Sequence, residues 1–174
     1  MIKINLLQPD LFLGDTITHL SPDILERHQL KGLLLDVDET LVPFREKEVS
    51  PELAQWVEQI RQQASIWLVS NNLSRTRIGN IARSLDLPYL FGAQKPSRRK
   101  LREAIAAMEL PVSTVAMVGD RLFTDVLAGN RLGMFTILVN PMVPPGEMPR
   151  LYSLRNFEVW LSSTALGVSL QSKS

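Results

Sequence analysis

The sequence contains no cysteine. This excludes disulfides, thiolate metal sites and dithiol redox chemistry, and it suits a reducing cytoplasm. Histidine is nearly as scarce: His19 and His28 match no metal-ligand spacing, so both are read as structural. Neither sign of charge dominates, since 19 basic against 18 acidic residues leave a net charge of +1, which argues against a surface built for nucleic acid. No apolar run approaches the ~18 to 20 residues needed to span a bilayer. The opening "MIKINLLQPDLFLGD" lacks the apolar core of a secretory leader. The expectation is a cytoplasmic protein that meets a membrane, if at all, peripherally. Repeats, low-complexity tracts and linker-like charge blocks are also missing. At 174 residues a single domain spanning 1–174 is expected.

What is present is an alternation of short apolar runs with helical periods. The runs Gly32 to Asp36, Ile66 to Ser70, Tyr89 to Phe91, Val115 to Gly119 and Thr136 to Val139 read as strands, mostly continuous and of the kind buried on both faces. Ser50-Pro51 reads as an N-cap with proline at the first helical position, ahead of a stripe of Leu53, Trp56, Val57 and Ile60. Ser74 opens a second helix carrying Ile78, Ile81, Ala82 and Leu85. A third follows Pro96-Ser97, with Leu101, Ala104, Ile105 and Met108 facing inward, and a shorter one begins near Thr124. This β-α repeat predicts an α/β fold with a parallel sheet between helices and ligands bound beyond the carboxyl ends of the strands.

Polar residues stand at those ends: Asp36 with Asp38, Ser70 with Asn71, Lys95, and Asp120 with Asp125. Carboxylates brought together repel and raise one another's pKa unless a cation or a shared proton relieves them. Oxygen ligands without cysteine or suitably spaced histidine favour Mg²⁺, which keeps waters and binds substrate phosphate.

The motifs "DVDET", "VSNN", "QKPS" and "GDRLFTD", in this order, resemble the four motifs of haloacid dehalogenase (HAD) superfamily phosphatases, subfamily IIIA. Within that superfamily the chain is similar from Leu6 to Pro144 to the YqeG-type and phosphatidylglycerophosphate phosphatase branch. The resemblance implies a three-layer Rossmann-like fold with a five-stranded sheet of order 3-2-1-4-5. It implies Asp36 as the nucleophile that becomes an aspartyl phosphate and Asp38 as general acid and base, its backbone carbonyl also on the metal. Thr40 would orient Asp38 or the turn, and Ser70 and Lys95 would bind and neutralise the phosphoryl group. Asp120 would ligate Mg²⁺ directly, Asp125 would stand behind it or act through water, and Asn71 would help hold substrate. A second aspartate at position 38 is the pattern of the superfamily's phosphatases and phosphomutases. Glu39 departs from the commoner glycine or asparagine and by default faces solvent.

Ser70 follows Asp36 by 34 positions and Lys95 follows Ser70 by 25, which leaves no room for a cap domain. An open site suits a macromolecular or lipid substrate, so the favoured substrate is a phospholipid head group, phosphatidylglycerophosphate. The alternatives are a phosphoprotein or a small phosphorylated metabolite, or a non-catalytic module that binds phosphate and Mg²⁺ beside a protein partner. The run "KPSRRKLR" sets Arg98, Arg99, Lys100 and Arg102 beside Lys95 and would suit an anionic surface, or equally a solvated helix face. Phe157, Trp160 and Leu161 stand at helical spacing and are read as packing on the sheet.

Overall fold

The computed structural model describes residues 5–144 and 146–148, and beyond them 156, 158, 167, 169 and 170. Its centre is a six-stranded sheet in which every pairing is parallel. The strands are β1 (Leu11–Phe12), β2 (Gly32–Leu35), β3 (Ser65–Val69), β4 (Tyr89–Leu90), β5 (Val115–Gly119) and β6 (Phe135–Leu138), in spatial order β1-β6-β5-β2-β3-β4. Five of them are the strands expected from the apolar runs, in the expected order. The sixth, β1, corrects the expected count of five. Two residues are too few to leave a periodic signature, and β1 is held at the sheet edge by tertiary bonds instead. Asp10 Oδ2 accepts from the Thr136 backbone N–H (2.8 Å) and hydroxyl (3.1 Å), and Asn130 Nδ2 donates to the carbonyls of Leu6 and Gln8.

The helices are α1 (Pro22–Arg27), α2 (Pro51–Ile60), α3 (Arg75–Ser84), α4 (Arg99–Met108) and α5 (Leu127–Leu132). Strand side chains alternate between two cores. Leu33, Leu35, Ala116 and Val118 pack with residues of α2 and α3, such as Trp56, Val57, Ile78 and Ile81. Leu34, Val115 and Met117 pack on the other face with Leu101, Ala104 and Ile105 of α4 and Ala128 of α5. Burial on both faces is why these strands read as unbroken apolar runs.

Two helix starts follow the expected chemistry: Ser50 Oγ accepts from the Leu53 N–H (3.1 Å) and Ser74 Oγ from the Arg77 N–H (3.3 Å). The helix expected near Thr124 begins instead as a π-helical turn over Leu122–Val126 that runs into α5. His19 pairs with Asp15 and His28 stacks on Phe135, so neither histidine reaches the strand ends. Arg99 and Arg102 are exposed, while Arg98 donates to the Arg131 carbonyl and Lys100 pairs with Glu103. The side chains of Phe157, Trp160 and Leu161 lie outside the described residues.

Because the sheet is parallel, the loops after β2, β3, β4 and β5 all leave from one edge. The chain builds outward from β2 in one direction through β3 and β4, then returns to add β5 and β6 on the other side. The crevice between β2 and β5 is the position where such sheets bind ligands. Among the described residues, the connections 36–50 and 70–74 carry no additional domain over that edge.

Candidate active site

Asp36 follows the last residue of β2, and Asp120 follows the last residue of β5, so pairing of these neighbours brings the two carboxylates together. Asp125 comes from the π-helical turn and folds back under Gly119. Ligand oxygens of Asp36, Asp120 and Asp125 all lie within 4.8 Å of one another, and all three residues are buried. Lys95 reaches them from the loop after β4. Its Nζ donates to Asp36 Oδ1 (2.7 Å), Asp125 Oδ1 (2.7 Å) and the Val69 carbonyl (2.9 Å). Thr40 donates from its hydroxyl toward Asp36 Oδ2 and Asp120 Oδ1, each at 3.3 Å.

One ammonium, bonded to Asp36 and Asp125, therefore serves a cluster of three buried carboxylates. Burial by itself would lower the Lys95 pKa, but Asp125 and Asp36 outweigh it and hold the ammonium above its ordinary range. The carboxylates remain undercompensated. Burial and the charges of Asp36, Asp125 and Glu39 push Asp120 well above the usual carboxylate range. Burial and Asp36 push Asp125 up to about 6 despite the opposing effect of Lys95. A buried cluster of hard oxygen donors, short of positive charge, fits a divalent cation.

The trio opens onto a cavity of about 530 Å³ lined in part by Asp36, Asp38, Glu39, Lys95, Asp120 and Arg121. Asp38 lies in this wall, but its carboxylate stands apart from the trio. Arg77 Nη1 donates to its Oδ1 (2.5 Å) and Asn72 Nδ2 to its Oδ2 (3.1 Å). Ser70 is fully buried behind the lining, where its hydroxyl oxygen accepts from the Asn72 N–H (3.0 Å). Asn71 lines the cavity, and its carboxamide grips the Lys95 backbone twice, accepting from its N–H (2.7 Å) and donating to its carbonyl (3.1 Å).

Glu39 is not the solvent-facing charge expected by default: it is buried, with φ 62°. The left-handed turn explains why glycine or asparagine is at home there. Its amide donates to the Val42 carbonyl (2.8 Å), which locks the turn. Sequence reasoning missed Arg77, Asn72 and Arg121. The guanidinium of Arg121 is paired with the buried carboxylate of Glu158. Arg77 had a signal, standing three residues after the N-cap serine of the helix that follows β3; Asn72 had one as the second asparagine of "VSNN".

The parallel α/β sheet with an acidic trio and a lysine at its carboxyl edge is the arrangement that the resemblance to the HAD class implies. A HAD-hydrolase-like family model matches residues 92–141. The chain is 36% identical over 135 residues to the probable phosphatase YqeG of Bacillus subtilis, covering 77% of each. It is 31% identical over 163 residues to the chloroplastic phosphatidylglycerophosphate phosphatase 1 of Chlamydomonas reinhardtii, covering 87% of this chain and 61% of that one. The crystal structure of 3-deoxy-D-manno-octulosonate 8-phosphate phosphatase from Moraxella catarrhalis, in complex with magnesium, phosphate and KDO, superposes with a TM-score of 0.51. At 13% identity over 81% of this chain and 91% of that one, this likeness shows the fold. The chain belongs to the HAD superfamily phosphatases, in the YqeG-type branch. It is an enzyme acting on phosphorylated substrates, and its acidic trio suits the divalent metal that HAD phosphatases use. No helix among the described residues is long and apolar enough to cross a membrane.

Proposed function

We propose that residues 1–174 act as one catalytic domain that hydrolyses a phosphomonoester through Asp36, with Mg²⁺ as the metal and phosphatidylglycerophosphate as the favoured substrate. The observation that carries this reading is the meeting of Asp36, Asp120 and Asp125 at the carboxyl edge of the sheet, with the Lys95 ammonium bonded to Asp36 and Asp125. In the first step a carboxylate oxygen of Asp36 attacks phosphorus. The bond from phosphorus to the leaving oxygen breaks, and Asp38 delivers a proton to that oxygen. In the second step Asp38 takes a proton from water, whose oxygen attacks phosphorus, releasing inorganic phosphate and restoring Asp36.

Lys95 keeps the Asp36 carboxylate fixed and offers positive charge to the phosphoryl oxygens. Ser70, buried behind the lining, would turn its hydroxyl hydrogen toward the phosphoryl group while its oxygen accepts from the Asn72 N–H. Thr40, expected to orient Asp38 or the turn, bonds Asp36 and Asp120 instead and would orient those carboxylates, and Asn71 acts through the Lys95 backbone it holds. Asp36, Asp120, Asp125 and the backbone carbonyl of Asp38 would hold the metal, Asp125 directly or through water. When bound, Mg²⁺ supplies the positive charge that lets carboxylates and phosphoryl oxygens share one site.

The lipid assignment is supported by similarity to the algal phosphatidylglycerophosphate phosphatase and by the absence of a cap domain in the described connections, which leaves the phosphate site reachable from a surface. Phosphate release from phosphatidylglycerophosphate in mixed micelles, measured against soluble phosphomonoesters with and without Mg²⁺, tests both parts. Expected are metal-dependent release with the lipid preferred, and no release by Asp36→Asn. A soluble ester preferred by orders of magnitude would overturn the lipid assignment. Equal activity of wild type and Asp36→Asn would overturn the mechanism.

A further inference from the structure

The Asp38 carboxylate is one corner of a closed ring of hydrogen bonds. Asn72 donates to its Oδ2 and accepts from the Ser74 N–H (2.8 Å). Ser74 Oγ accepts from the Arg77 N–H at the start of α3. Arg77 closes the ring by donating from Nη1 to Asp38 Oδ1. The same guanidinium carries a second set of bonds. Its Nη2 donates to the carbonyls of Phe44 (3.1 Å) and Glu46 (2.9 Å), with Pro43 at 3.4 Å, and its Cζ lies 5.9 Å from the Phe44 ring centroid. Phe44 lines the catalytic cavity and the adjoining cavity of about 450 Å³. The Arg77 side chain is only 12% exposed.

From this geometry we propose that Arg77 is the positioning residue for proton delivery, tying the Asp38 carboxylate and the Pro43–Glu46 flap into one unit anchored on α3. The inference rests on Asp38 as the acid of the proposed reaction. A guanidinium suits the task because its planar fork of donors can serve a carboxylate and several carbonyls at fixed angles, which the three donors of a lysine ammonium on a flexible stem cannot. Flap and carboxylate come from the connection after β2 and Arg77 from the first turn of α3, 39 residues beyond Asp38. Without the arginine, Asp38 would keep only Asn72 among the side-chain donors of the described residues that reach its carboxylate.

The test uses leaving groups. An alkyl phosphate needs its leaving oxygen protonated, whereas a nitrophenyl phosphate departs as a stable anion, and kcat/KM covers only the steps up to that departure. For Arg77→Ala the ratio of alkyl to nitrophenyl kcat/KM is expected to fall by about 10-fold or more, with the nitrophenyl value within about 3-fold of wild type. Arg77→Lys, which preserves charge and most of the packing, is expected to recover less than half of the lost ratio. The comparison is internal to each folded sample, so a general loss of stability moves both substrates together. Asp38→Asn separates the two levels of the argument. If that variant leaves the ratio unchanged, the acid assignment is wrong; if it collapses the ratio while Arg77→Ala does not, Arg77 has no part in positioning. Full recovery by lysine would also overturn the proposal, because charge alone would then suffice.

Discussion

Lys95 Nζ stands 2.7 Å from Asp36 Oδ1, across 59 residues of sequence, with both groups buried. Removing the ammonium leaves Asp36 and Asp125 facing each other with no counter-charge from that side. Lys95→Met is therefore expected to destabilise the metal-free protein by about 3 to 5 kcal/mol, as for other buried pairs broken on one side. Urea denaturation measures it; a loss below about 1 kcal/mol would contradict the pairing.

Gly119 and Asp125 are a second such pair. A Cβ built on Gly119 would lie 2.2 Å from Asp125 Oδ2, 2.3 Å from its Cγ and 2.7 Å from its Cβ. The collision reaches the base of a buried side chain, so swinging its tip away does not relieve it. Gly119→Ala is expected to cost about 1 to 3 kcal/mol of stability and to weaken divalent-metal binding at least about 10-fold. Isothermal titration with Mg²⁺ alongside a denaturation curve checks both, and unchanged metal affinity would show that Asp125 does not serve the metal.

Acidity should act on the trio with a defined sign. In the folded, metal-free protein Asp120 and Asp125 sit above the unfolded value of 3.8, Asp125 at about 6. The folded state then holds protons that the unfolded state has already released. These two groups therefore contribute stability that is fully present below pH 3.8 and is lost as pH rises through about 6 for Asp125 and higher for Asp120. A divalent ion binds the deprotonated forms, so its stabilisation grows across the same window, reaching about 2.7 kcal/mol at 100 times its dissociation constant. The shift in thermal midpoint on adding Mg²⁺ should increase from pH 5 to pH 7.5. A shift independent of pH would mean that these carboxylates are not the ligands.

Thr40 directs one hydroxyl toward Asp36 and Asp120 at 3.3 Å each. Thr40→Val removes both interactions while keeping the shape, so kcat is expected to fall about 10-fold, the equivalent of one lost hydrogen bond of about 1.4 kcal/mol. Steady-state assay on an aryl phosphate decides this. Activity equal to wild type would make Thr40 a turn residue only.

Much of this protein is legible from order and period. The runs of β2, β3 and β5 declare themselves because residues buried on both faces must be apolar without interruption. Ser50 and Ser74 announce helix starts because a side-chain oxygen must satisfy amides that have no earlier carbonyl to bond. Asp36, Lys95 and Asp120 could be named because each directly follows an expected strand or stands in a motif of fixed order. β1 could not, because Leu11–Phe12 has no period and is held by residues 126 positions away. Glu39 was misjudged for a related reason: a charged residue defaults to solvent, and only the left-handed turn that buries it decides otherwise.

The amino-acid sequence by itself determined the parallel α/β architecture, the position of its five principal strands along the chain and the residue types at their carboxyl ends, because burial patterns and caps act over a few neighbours; their spatial order was implied by the motif resemblance alone. Tertiary structure alone decided the charge balance of the trio, the engagement of Asn71 with the Lys95 backbone and the bond between Arg77 and Asp38. Apart from that of Asp120 with Asp125, those interactions join groups 24 to 89 residues apart, so they depend on strand register and on distances of a few ångströms that no local pattern encodes.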